Sequence, residues 1–151
     1  MKILFDATVA NQVKARLGQL GSQSERRWGK MTAAQMLAHC SVSMQWAVGE
    51  VAPEKGGLPA RLMGRLVKPL VFRNEDPLRK NSPTARSLIV ADERDLGKER
   101  DRLSGLIDKF AAGGAAGCTR NPHSFFGRMT PEEWAILMYK HLDHHLRQFG
   151  V

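Results

Sequence analysis

The chain has 151 residues, 42% of them hydrophobic and 25% charged, proportions that suit one folded domain spanning residues 1–151 and exclude a disordered chain. Its formal charge of +8 at pH 7 raises nucleic acid, anionic lipid or an acidic substrate as partners but says nothing about fold. No apolar run approaches the roughly 18 residues of a membrane span and the start Met1–Asp6 lacks a signal-peptide core, so a cytoplasmic location is expected, while Cys40 and Cys118, without a Cys-x-x-Cys pair, exclude a disulfide framework and a thiolate zinc knuckle.

The first helix is expected from about Ala7 to Leu20, where Val9, Val13, Leu17 and Leu20 form one stripe and Gly21 is the stop signal. A polar, basic loop follows over residues 22–30. The second helix opens at Thr32 with Gln35 three positions on, a capping-box pattern, and continues to about Val48 before Gly49. Met36, Leu37, Cys40, Met44 and Ala47 make its main apolar arc.

A connection of about 40 residues comes next, punctuated by Pro53, Pro59, Pro69 and Pro77, long enough to cross over along a bundle instead of turning back as a hairpin. Within it, Leu58 to Phe72 reads as a short covering helix. A third main helix is expected from Asp92 to Phe110, with Leu96, Leu103, Ile107 and Phe110 at helical spacing and Gly113-Gly114 as its end. The fourth opens with Thr130-Pro131-Glu132-Glu133, which supplies an N-cap, a proline at the first helical position and a capping-box glutamate. Trp28-Gly29-Lys30-Met31-Thr32 and Phe126-Gly127-Arg128-Met129-Thr130 echo each other at the mouths of the second and fourth helices, as two loop-to-helix junctions with similar caps would. The fold class that results is all-α, a four-helix bundle.

The chemistry lies with the histidines. His141 and His145 are four residues apart, which returns to the same helix face one turn on, so both imidazoles can reach one ion. His39 offers a third ring. Three neutral histidines leave coordination positions free for water, hydroxide or a thiolate, as a reactive site needs and a closed structural site does not. By rise per residue, His39 lies roughly 9 Å from the start of its helix and His141 and His145 roughly 12 and 6 Å from the end of theirs. These levels meet only if the second and fourth helices are antiparallel, and a long crossover between helices 2 and 3 (up-down-down-up) makes them so.

Burial is expected for His141 and His145, near the centre of their apolar face, whereas the phase of His39 leaves open whether it meets the axis or a neighbour. A lone buried histidine more often only hydrogen-bonds within a core, but three at matched depth favour a metal. His144 falls off the pair's face and suits support or solvent; His123 is a loop residue set apart from the ligands. Asp143 points away from the apolar face and is expected to be solvated, and Gln148 is close enough to the inner face to support a ligand ring, although a glutamine on the helix flank is the commoner outcome.

The segments Met31-Thr32-Ala33-Ala34-Gln35-Met36-Leu37-Ala38-His39 and His141-Leu142-Asp143-His144-His145-Leu146-Arg147-Gln148-Phe149 resemble the DinB-like superfamily, also called YfiT-like metal-dependent enzymes. A family within it whose function is uncharacterised resembles most of the chain, including Asn81-Ser82-Pro83-Thr84-Ala85 and His123-Ser124-Phe125-Phe126-Gly127. The resemblance implies the crossover bundle and a divalent metal ion, often nickel or zinc, on His39, His141 and His145. Some relatives are thiol transferases and others have no known reaction.

The expected function is therefore that of a metal-dependent enzyme, a hydrolase or thiol S-transferase, acting on a small-molecule substrate, with a low-molecular-weight thiol as one candidate. The alternative is a non-catalytic, metal-stabilised binding or dimerisation module with a basic surface for an anionic partner. Residues 51–80 hold seven bases against three acids, half of the chain's excess. With only Phe72 there to stack on bases, nucleic acid is not expected. No membrane partner is expected either, and a homodimer is left open.

Overall fold

The computed structural model describes residues 1–151. It is all-helical and has no strand, only one isolated bridge between His123 and Gly127. The helices are α1 (Ala7–Leu17), α2 (Ala33–Ala47), α3 (Leu58–Arg73), α4 (Leu96–Gly113) and α5 (Pro131–Gln148), with a short 3-10 turn over Arg86–Leu88. None is long and apolar enough to cross a membrane.

Local chemistry sets most of the ends. The Thr32 hydroxyl accepts from the Gln35 N–H while the Gln35 side chain accepts from the Thr32 N–H, and Thr130 with Glu133 repeats the exchange at the start of α5. Both halves of the echoed motif are thus capping boxes. Three boundaries differ from expectation, the simplest being the end of α4, which runs past Phe110 to Gly113. α1 stops at Leu17, because Leu20, although buried, packs from a turn in which its N–H reaches the Leu17 carbonyl; its apolar signal was burial without helix. α4 starts at Leu96 and not at Asp92, because Asp95 caps the Lys98 N–H at 2.7 Å while Asp92 is engaged by Arg94.

α2 packs on α4 and α5, α1 on the same two, and α3 on α5 alone. One continuous core results, with Met36, Leu37, Met44, Trp46, Leu103, Ile107, Phe110, Trp134 and Leu142 all at most 2% exposed. Each large apolar side chain so buried contributes roughly 1.5–3 kcal/mol before entropy is subtracted. Leu4, fully buried, pins the N-terminal segment through its N–H to the Ala135 carbonyl at 3.1 Å.

α3 lies over α5 by close backbone approach. A Cβ at Gly64 would collide with the Phe125 carbonyl, so no larger residue fits there. Lys140 of α5 donates to the Val71 carbonyl at 2.7 Å and fixes the far end of α3.

Asp143 is a correction. It is buried, accepting from Arg16 of α1 and from Arg147, each at 2.7 Å. The polar face of α5 at that point meets another helix and not solvent.

Candidate metal centre

Three rings converge between α2 and α5. His39, His141 and His145 form a near-equilateral triangle with centroids 4.7–4.9 Å apart. Each offers one nitrogen, and these nitrogens all lie within 4.8 Å of one another. The helix geometry explains the pairing of the last two, one turn apart on α5. His39 reaches them because α2 packs on α5 at the matching depth.

The backs of two rings are fixed by groups that can only accept. His39 Nδ1 lies 2.8 Å from the Leu88 carbonyl, so it must carry the proton and leave Nε2 with its lone pair. The carbonyl comes from the 3-10 turn that packs on α2. The His145 proton is fixed through one more residue. Gln148 Nε2 donates to the Trp28 carbonyl at 2.7 Å, which turns Oε1 toward His145 Nδ1 at 2.8 Å. His145 Nδ1 therefore donates, and its Nε2 is free as well. Residue 148 is held at both ends, since the Arg27 N–H also donates to its carbonyl at 2.7 Å.

His141 closes the triangle, its Nε2 2.9 Å from that of His39. With the His39 proton committed to Leu88, the bond between two neutral rings needs His141 Nε2 to donate. The same separation suits two ligands of one ion: with bonds of about 2.05 Å, ligand nitrogens stand ~2.9 Å apart at a right angle and ~3.3 Å at a tetrahedral angle. Closing all three onto one ion takes side-chain shifts below about 1 Å from the present spread.

Burial keeps the rings neutral, the form that binds metal. For His145 desolvation, followed by the neighbouring His39, pushes the pKa down to about 3. Desolvation also dominates for His141, lowered well below its ordinary value with His145 and His39 adding to the effect, and for His39, where the Leu88 hydrogen bond partly opposes it. His39 and His145 are buried, whereas His141 retains partial solvent exposure; the expected full burial holds for His145 only. His141 is therefore the least buried of the three.

The remaining histidines support their surroundings. His144 is buried, its Nδ1 3.1 Å from the Leu78 carbonyl and its ring edge-on to Trp28, on which Lys80 lies 4.2 Å from the ring centre. His123 stays apart from the cluster and accepts at Nδ1 from the Phe125 and Phe126 N–H groups, which folds its own loop against Trp46 and Trp134. Of the two outcomes open to Gln148, the structure shows the supporting one, with its side chain behind the His145 ring. What sequence reasoning missed is the part played by the crossover: Leu88 and Leu78 act through backbone carbonyls, which no side-chain pattern advertises.

No Asp or Glu is grouped with the three rings. Cys40 adjoins His39 in sequence, but it is fully buried and its thiol is pushed far up by desolvation, so it offers no thiolate. The donor set is three neutral imidazoles, which could hold one divalent ion.

No curated protein and no solved structure matches the chain. Over residues 4–150, nearly its whole length, it matches the family described as "Protein of unknown function (DUF1569)", and it belongs to that family.

Proposed function

We propose that the protein is a metal-dependent enzyme of the DinB-like type, with α1, α2, α4 and α5 as an up-down-down-up four-helix bundle and His39, His141 and His145 holding one divalent ion, nickel or zinc. The observation that carries this reading is the orientation of the rings. Two Nδ1 protons are committed to the Leu88 carbonyl and to Gln148, so two Nε2 lone pairs face the third ring inside a desolvated cluster. A core that only needed to satisfy buried histidines has no reason to aim three of them at one point.

A dication on three neutral ligands keeps its full charge and supplies Lewis acidity for hydrolysis or for activating a thiol. The chain's own residues orient and exclude. Leu88 and Gln148 hold the rings, burial of His39 and His145 keeps water away, and a small molecule would approach the cluster past the partly exposed His141. Because Cys40 gives no thiolate, thiol chemistry here takes a free low-molecular-weight thiol as cosubstrate. With no carboxylate in the cluster, the chain places no general base of its own beside the rings.

Elemental analysis of protein purified without a polyhistidine tag tests the proposal. About one divalent metal per chain, lost on His141→Ala, is the expected result. Less than about 0.2 per chain, unchanged by that substitution and by added zinc or nickel, would count against it.

A further inference from the structure

α3 packs Val67, Val71 and Phe72 against the core but turns a second set of apolar residues away from the protein. Leu58, Leu62, Leu66 and Leu70 are 74%, 62%, 73% and 68% exposed and Met63 is 55% exposed, while Gly64 is the only buried residue of the helix. At about 100° per residue the four leucines sweep an arc of roughly 120°, and Met63 extends it by about 20°. Arg61 and Arg65 line one edge of this ridge, and Arg73 stands within it. From Lys55 to Asn74 there is no acid. Lys55, Arg61, Arg65 and Arg73 are all exposed and form no ion pair, whereas Lys68 is turned inward to Glu133 at 2.8 Å.

We propose that α3 is a docking surface for an anionic lipid bilayer, lying flat with its leucines among the acyl chains and its arginines at the headgroups. The charge pattern selects the occupant. A second copy packed ridge to ridge would set unpaired guanidinium groups close to their own kind with no acid to meet them, an arrangement that opposes association. An acidic peptide helix would need a groove, and these leucines stand on a convex ridge. An interfacial helix needs this combination of a projecting apolar face, bases beside it and long side chains that carry their charge to the headgroups. The expectation of no membrane partner came from the lack of a spanning segment, a criterion blind to a helix that lies in the surface.

The helix also stands to gain from such a surface. Pro69 inside it leaves the Arg65 carbonyl without its helical partner, and Gly57 at the N-cap offers no side-chain cap.

Co-sedimentation of the full chain with vesicles tests this, phosphatidylcholine alone against phosphatidylcholine with about one third phosphatidylserine. The expected result is binding to the anionic vesicles that weakens with salt, and little to the neutral ones. Each base at the surface is worth about fivefold in partition, so Arg61→Gln with Arg65→Gln weakens binding about 25-fold. Leu62→Glu with Leu66→Glu abolishes it, with near-UV circular dichroism confirming that both variants fold. Lys98→Gln with Arg120→Gln, which removes the same charge elsewhere, leaves binding within about twofold. The proposal is overturned by absence of binding to anionic vesicles at low salt, by equal loss in the control pair, by leucine variants that still bind, or by a dimer in solution that dissociates in the leucine variants.

Discussion

Gln148 offers the sharpest separation between the stability of the fold and the proposed metal site, because its two ends serve different partners. Oε1 accepts from His145 Nδ1 at 2.8 Å, Nε2 donates to the Trp28 carbonyl at 2.7 Å, and the residue is 3% exposed. Replacing it with leucine keeps much of the volume but strands one donor and one acceptor in a site with little access to water. Each stranded group costs about 1–3 kcal/mol, part of which the added apolar burial offsets, so Gln148→Leu is expected to lose about 2–4 kcal/mol. For a chain of this size that corresponds to a Tm lower by roughly 5–15 °C. The same substitution frees the His145 ring to rotate and is expected to weaken metal binding about 10–100-fold. Gln148→Glu separates the two effects: a carboxylate still accepts from His145 Nδ1 but cannot donate to Trp28. Its metal affinity is expected to stay within about threefold of the parent while its Tm falls. Thermal unfolding of the metal-free proteins and calorimetric titration with zinc read the two quantities separately. A Leu variant with parental Tm and affinity, or a Glu variant that loses as much affinity as the Leu variant, refutes the assigned role.

Other consequences follow from the same geometry. Gly29 has φ +79°, and a Cβ there would run into Gln148 Nε2, so Gly29→Ala is expected to lower stability by about 1–3 kcal/mol in urea denaturation. Asp143→Asn removes the charge that Arg16 and Arg147 share; because the two arginines are 26% and 57% exposed, the expected loss is about 1–3 kcal/mol, below that of a fully buried pair. His123 and His145 have pKa values pushed down to about 4 and about 3 from an ordinary 6.5. The unfolded chain then binds more protons than the folded one below pH 6.5, so stability is fully present above that pH and is lost as pH falls toward 4, by up to about 1.4 kcal/mol per pH unit for each ring. A urea midpoint unchanged between pH 7.5 and pH 5 would contradict this. On adding metal, His141 is expected to move its proton from Nε2 to Nδ1, a change of tautomer visible in long-range proton–nitrogen correlation spectra; a spectrum unchanged at saturating zinc contradicts ligation through Nε2.

What could be read in the sequence was whatever depends on near neighbours. The capping boxes at Thr32 and Thr130 act over three residues, and the His141–His145 pair follows from one helical turn, so both were legible. Bringing His39 to that pair needed an argument about the whole topology, drawn from the long proline-punctuated connection; the three rings do meet. The rest escaped for identifiable reasons. Asp143 meets Arg16 across a separation of 127 residues, and a carboxylate on a polar helix face looks solvated until its neighbour is known. Leu88 and Leu78 orient His39 and His144 through carbonyls that any residue carries. Leu20 is buried without being helical, so hydrophobic spacing overran the true end of α1.

In the proposed site three imidazoles share one cation. Crystals grown with zinc or nickel, with anomalous data collected above the metal edge, test it most directly. One strong peak about 2.0–2.2 Å from the Nε2 atoms of His39, His141 and His145 is the predicted result. A peak held by two or fewer of these rings, or metal found only at other residues, contradicts the account.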